Sequence, residues 1–281
     1  MVFSIGSHAL IALFCFFFEQ LLLVLSTPHA PQETKVYTNG TYTGEFLHGL
    51  KHGAGTYRYK STSTPSGTGE VYTGRWLNGT KHGWGTYTFA DGSVYEGSWL
   101  HDLRHGPGGT MREANGGVFR GEYRKGRRLK GTYEWPPTAV SAAATTTASA
   151  EDSSVVAVVD TYDGEWQDGQ PHGEGTMVTA QGVYTGGWSA GKKHGEGTFK
   201  GTNGDTHRGE YRNNRPNGLG HWVSGTTGEK YVGEYSRGMR NGQGLLTKSD
   251  GTVIHAGAFR NGLPDIKKSE ESQTITRGFT L

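Results

Sequence analysis

Five histidines, His52, His82, His105, His172 and His194, each precede glycine in closely similar strings. Imidazole returning at one fixed place is the residue type that would build a ladder of metal sites. The stretch "GGWSAGKK", Gly186 to Lys193, has the G-x-x-x-x-G-K spacing of a loop that cradles phosphate. The run "RGEYRKGRRLK", Arg120 to Lys130, sets six cations, Arg120, Arg124, Lys125, Arg127, Arg128 and Lys130, against the single carboxylate of Glu122. That cluster is a candidate patch for an anionic ligand such as a phosphoinositide headgroup or an acidic polypeptide tail.

The elements that must carry these residues decide which chemistry survives. Of 281 residues 47 are Gly, more than double the usual ~7%, and only 33% are hydrophobic, too few to fill a thick two-layer core. Aromatics reach 11%, so rings supply much of the apolar contact area. A net charge of +2 is too mild for nucleic-acid binding by the whole chain, and the single cysteine, Cys15, excludes an intramolecular disulfide or thiolate cluster.

The organising feature is a repeat. The strings "YTGEFLHGLKHGAGT" at Tyr42, "YTGRWLNGTKHGWGT" at Tyr72, "YDGEWQDGQPHGEGT" at Tyr162 and "YTGGWSAGKKHGEGT" at Tyr184 share Y-x-G-x-W/F, a turn, then H-G-x-G-T. Looser copies begin at Tyr95, His207 and Tyr231, and degenerate ones at Phe119 and His255. The period is about 23 residues, and nine units fit between Tyr42 and Pro264. Ring, glycine and second ring at i, i+2 and i+4 share one face of a strand. The sets Tyr42 and Gly44; Tyr72, Gly74 and Trp76; Tyr95, Gly97 and Trp99; Tyr162, Gly164 and Trp166; Tyr184, Gly186 and Trp188; and Tyr231, Gly233 and Tyr235 form a stripe. Asn78-Gly79, Asp168-Gly169, Ala190-Gly191 and Asn261-Gly262 accept the positive φ of a tight hairpin connection. Each unit therefore reads as a β-hairpin whose glycine is a socket for a ring of the neighbouring hairpin.

This reading sets aside two of the opening candidates. Successive hairpins advance ~10 Å, too far for their histidines to share a zinc ion, so the ladder is structural, and Asn217 and Asn241 replace histidine as small polar groups bonding their own turn. The G-x-x-x-x-G-K string lies inside a hairpin, ends in Lys193 where Ser or Thr would hold magnesium, and has no following helix. No catalytic motif and no cofactor site is expected.

The repeat resembles the MORN (membrane occupation and recognition nexus) family over roughly four fifths of the chain. The resemblance implies an all-β fold, an elongated single-layer antiparallel sheet of stacked hairpins ~90 Å long, without catalytic activity. Its members scaffold cytoskeletal and membrane-associated assemblies and tend to dimerise. The expected organisation is a hydrophobic leader at 1–30, repeats one to four at 42–135, an insertion or linker at 136–160, repeats five to nine at 162–264 and a disordered tail at 265–281. The insertion is either a decorated corner of one rod or a hinge between two.

The stretch "ALIALFCFFFEQLLLVL", Ala9 to Leu25, is expected as an N-terminal hydrophobic helix, and three readings of it compete. A span would be short and would bury Glu19, a cleaved signal would lack a basic start, and a loose anchor or partner-packing segment is the third. Three functions remain open: a scaffold holding cytoskeletal or membrane-associated proteins, as in an axoneme or basal body; a membrane-binding module using the leader and the basic cluster on anionic phospholipid; and a regulatory subunit of an enzyme. A homodimer through a sheet end is a further expectation, and so is a location on the cytoplasmic face, cytoskeletal or flagellar, rather than secretion.

Overall fold

A computed structural model describes residues 31–60, 69–137 and 159–266. The expected N-terminal helix lies outside these residues. Among the described residues there is no α-helix, and no helix is long and apolar enough to cross a membrane. They form one open antiparallel sheet of 20 strands in which each strand pairs with its neighbours in sequence, except that Leu103–Arg104 and Gly106–Arg112 both pair with Val94–Leu100. Strand Arg127–Glu134 pairs directly with Thr161–Gln167, from Lys130 opposite Glu165 to Glu134 opposite Thr161, so the sheet runs without a break past the insertion. The N–H of Trp135 donates to the Asp160 carbonyl at 3.0 Å and extends this pairing by one bond.

Nine two-residue hairpin turns, from His48-Gly49 to Asn261-Gly262, have both residues at positive φ. This turn twists in the same sense as the strands it joins. Lys125, Ala190 and Arg237 accept the same geometry without the tolerance of Asn or Gly. One further strand, Glu33–Tyr37, precedes the first unit and pairs with Gly40–Leu47.

Glycines of successive repeat strands form a row across the sheet: Gly44 faces Gly55, Gly55 faces Gly74, Gly74 faces Gly85, and the pattern continues through Gly131 opposite Gly164 to Gly244 opposite Gly257. The first ring of each unit lies flat on this row. Tyr42 covers Gly44 and Gly55 of its own hairpin, and its hydroxyl donates to the carbonyls of Glu45 at 3.0 Å and His52 at 3.1 Å. Tyr72, Tyr95, Tyr162, Tyr184 and Tyr231 each donate likewise to the carbonyl three residues on. The socket is thus filled from within the hairpin, which corrects the expectation of a ring from the neighbour: three residues of extended strand match the reach of a tyrosine laid along its own chain.

The neighbour contributes the next layer. Trp76 stands edge-on to both Tyr42 and Tyr72, at centroid distances of 5.3 and 5.1 Å, and its indole N–H donates to the Gly55 carbonyl at 3.1 Å. Trp99, Trp166 and Trp188 repeat this bond on Gly85, Gly131 and Gly175. Edge-to-face pairs contribute ~0.5–1.5 kcal/mol each beyond their burial, and here each one ties two units together.

Beyond the glycine row the H-G step makes a β-bulge. Gly44 faces Gly55 but Glu45 already faces His52, and Gly53, at φ +57°, takes up the extra length. The Glu45 carboxylate accepts the N–H of Ala54 inside the bulge at 3.1 Å, and Glu210 and Glu234 do the same for Leu219 and Gln243. The degenerate fourth unit achieves its hairpin with one residue fewer, the shift falling at Leu129 alone.

The row gives two predictions. A Cβ on Gly175 would lie 2.6 Å from Tyr162 Cε2, whereas one on Gly169, in a turn, would meet nothing within 4 Å. Gly175→Ala is therefore expected to cost ~3 kcal/mol by overpacking, and Gly169→Ala ~1 kcal/mol by left-handed strain alone, as read from urea melts. Burial, reinforced in Tyr42 by the Glu45 charge, holds Tyr42 and Tyr184 at about 12 and raises Tyr72, Tyr95 and Tyr162 further. Folded values above the unfolded one mean that stability is complete below pH ~10 and is lost as pH climbs through the folded values. Tyrosinate absorbance at 295 nm should rise late and steeply together with loss of the sheet; independent titration near pH 10 would contradict this packing.

Candidate functional site

The basic cluster does not remain one patch. Strand Val118–Arg124 alternates, so Phe119, Gly121 and Tyr123 lie on the ring face while Arg120 and Arg124 project from the opposite face. Lys130 and Arg127, paired with Glu122 and Arg124, share that opposite face; Arg128, paired with Tyr123, lies on the ring face; Lys125 is in the turn. Four cations already have carboxylate partners: Arg120 with Glu134 at 2.7 Å, Arg124 with Glu122 at 3.7 Å, Arg127 with Asp168 at 2.6 Å, and Arg128 with Glu113. Lys125 and Lys130 have no ion pair among the described residues.

Arg128 points to a site the basic run conceals. Its guanidinium lies over Phe119 at 4.9 Å and Tyr133 at 5.1 Å. The same register position, opposite the second ring and just before the bulge, holds Lys51 opposite Phe46, Lys81 opposite Trp76, Arg104 opposite Trp99, Lys193 opposite Trp188 and Arg240 opposite Tyr235. Lys51 Nζ stands 4.1 Å from the Trp76 ring and 4.5 Å from Tyr57; Lys81 Nζ stands 4.7 Å from Tyr87 and 4.8 Å from Trp99. Arg104 covers Tyr123, Lys193 covers Tyr184 and Phe199, and Arg240 covers Trp222 and Tyr231. All six are half-buried. Burial lowers Lys51, Lys81 and Lys193 from the ordinary lysine value. In the fifth and seventh units the position is Pro171 and Pro216.

The row therefore has four consecutive cations, Lys51, Lys81, Arg104 and Arg128, and then alternates with proline. Its sequence signal is a Lys or Arg directly before the H-G step, a place overlooked beside the histidine. Such an arrangement can attract and orient anions over an apolar floor; it offers no nucleophile paired with a base.

The histidines serve the backbone. Their bulge carbonyls accept tyrosine hydroxyls, as at His52 and His172, and His82 packs edge-on against His101 of the next turn at 6.0 Å. Among the described residues no group of His, Cys, Asp or Glu could hold a metal. Asn217 reaches the N–H of Arg237 in the next turn at 3.4 Å rather than bonding its own, which corrects that expectation: the bulge faces the following hairpin, not its own loop.

The other repeat positions are where the pattern puts them, with two histidines in the place of the first ring: His255, which bonds the Ala258 carbonyl at 3.1 Å, and His207. His207 stands where six units carry tyrosine and one phenylalanine, buried between Tyr211 and Tyr235 at 5.1 and 4.9 Å. It bonds Tyr211 at 2.8 Å through Nδ1 and leaves Nε2 without a partner. The aromatic core is continuous from Tyr42 to Tyr211 and resumes at Tyr231, so His207 is a polar joint between them. Burial, then the neighbouring His221 charge, lowers its pKa to about 4. A depressed histidine value means that the unfolded chain takes up a proton first, so stability falls as pH drops from ~6.5 toward 4. His207→Tyr should raise stability by ~1–2 kcal/mol by removing the orphaned buried nitrogen and should flatten the melting temperature between pH 7 and 4.5; an unchanged pH profile would assign that dependence elsewhere.

Comparison with known proteins follows this geometry. A search of curated proteins gave no match. A solved structure, the wild-type TCP10 domain of Danio rerio CPAP in complex with a peptide of Danio rerio STIL, aligns over 82% of this chain and 100% of its own at 12% identity and a TM-score of 0.23. The sequence pattern of the MORN repeat matches residues 42–64, 72–94, 95–109, 162–183, 184–206, 207–227 and 231–253. The hairpins at Phe119 and His255, outside those matches, pair in the same manner. With seven matched repeats in a sheet built on one repeated hairpin, the chain belongs to the MORN repeat family.

Proposed function

We propose that this protein is a non-catalytic scaffold that binds protein partners along its ring face, within a cytoskeletal assembly such as an axoneme, basal body or membrane-linked collar, on the cytoplasmic side. The observation that carries this reading is the row of half-buried, ring-stacked cations repeated in register along one continuous sheet. A surface that repeats a weak contact many times suits a long partner better than a small substrate. Repeats of this family are generally non-catalytic.

A second reading, a membrane-binding module, rests on the apolar run Ala9 to Leu25. On that reading the leader inserts and the exposed cations Arg124, Lys125 and Arg127 meet anionic lipid.

Fractionation of cells expressing the full chain with a C-terminal tag separates the two. The scaffold reading expects the protein in the pellet that resists non-ionic detergent, whether or not residues 1–30 are present. Release by detergent, with solubility restored by removing residues 1–30, would overturn it in favour of the membrane module.

A further inference from the structure

The cation row has a spacing, and that spacing selects a partner. Lys51, Lys81, Arg104 and Arg128 occupy equivalent register positions on every second strand. Strands lie 4.7–4.9 Å apart, so successive cations are spaced about 9.5 Å along the sheet. A polyproline II helix rises ~3.1 Å per residue with three residues per turn and brings every third side chain to one face at about 9.3 Å. A β-strand cannot match, because residues three apart point to opposite sides.

We infer that the first three repeats bind an extended, proline-rich acidic peptide in polyproline II conformation, with Glu or Asp at every third position meeting Lys51, Lys81 and Arg104. This rests on, and narrows, the scaffold reading above. Three further observations support it. Lys51, Lys81 and Arg104 have no ion pair among the described residues. The rings that hold the cations already restrict their stems, so less side-chain freedom is lost when an anion docks. Those rings also supply the aromatic floor on which polyproline II ligands pack.

The row has an end, which sets a length. In the fifth unit the position is Pro171, buried opposite Trp166. Arg128 is already held by Glu113, so the three unpaired cations before it call for three acidic triplets. The inserted residues between Tyr59 and Val71 leave the row intact, because Leu50–Tyr59 and Val71–Leu77 pair directly, with Gly53 opposite Trp76.

The test uses the full chain and fluorescein-labelled peptides read by anisotropy at low and physiological salt. The probes are (Glu-Pro-Pro)4, an isomer of the same composition with its glutamates in adjacent pairs, and (Gln-Pro-Pro)4. We expect (Glu-Pro-Pro)4 to bind at least tenfold tighter than either control, with affinity rising from two triplets to three and little further at six. Lys51→Met with Lys81→Met, which keeps the stems on the rings, should weaken binding at least tenfold while circular dichroism at 25 °C stays that of the parent; Lys51→Arg with Lys81→Arg should restore it. Equal affinity for the isomer, or unchanged binding by the Met variant, would overturn the inference. If the Met variant meanwhile stays in the detergent-resistant pellet, the scaffold reading survives that failure, whereas its release in parallel with lost peptide binding ties the two together and supports both.

Discussion

Everything in this sheet depends on a tyrosine ring lying flat on two paired glycines. A single-layer sheet has no second sheet to bury against, and an isolated hairpin is marginal in water. Removing Cβ from facing positions, as at Gly44 and Gly55, opens a groove shallow enough for a ring to meet backbone on its whole face. The hydroxyl then finds a bulge carbonyl, so burial of Tyr42, Tyr72, Tyr95, Tyr162, Tyr184 and Tyr231 to within about 1% of complete leaves no polar group stranded. A chain with one-third hydrophobic residues can therefore fold without a thick core: backbone takes the place of the missing layer.

The same arrangement makes the units dependent on one another. Trp76, Trp99, Trp166 and Trp188 each donate to a glycine carbonyl of the preceding unit and stand between that unit's first ring and their own, so the element that completes one hairpin belongs to the next. Nearest-neighbour coupling of this kind explains how the sheet passes the long insertion unchanged: register is set by Trp166 on Gly131 and Phe119. Where tyrosine is replaced by His207, the ring bonds the Tyr211 hydroxyl through Nδ1 instead of a strand carbonyl and leaves Nε2 unpaired, whereas His255 at the same place in the last unit reaches the Ala258 carbonyl at 3.1 Å.

The period, the nine hairpins and the ring-glycine-ring face were legible in the sequence because each rests on local geometry: alternation in a strand, and Asn-Gly or Asp-Gly at a turn of positive φ. What filled the glycine sockets was not, since two rings at i and i+4 are equally spaced from the glycine between them and only the carbonyl three residues on decides which one lies down. The strand Glu33–Tyr37 was missed because it lacks the row's glycine; it is held by pairing and by Tyr37 against Tyr57. The basic run at Arg120 to Lys130 looked like one site because charge was counted along the chain. Alternation divides it between two faces, and the chemically distinct member, Arg128, becomes visible only beside Lys51, Lys81 and Arg104 from other units.

That row shows how one position can serve stability and recognition together, and at what limit. A cation over rings in a half-buried setting contributes on the order of 0.5–2 kcal/mol, provided that part of its hydration is kept, so the group that stabilises the stripe must remain accessible. Proline at the same place resolves the matter differently. Pro171, opposite Trp166, is buried and carries no charge to present to a partner. The first four units keep their cations and the later ones alternate, so the repeats are equivalent as structural elements and unequal as a surface. A fold that depends on uniform hairpins can in this way confine a binding face to part of its length without altering a single turn or pairing.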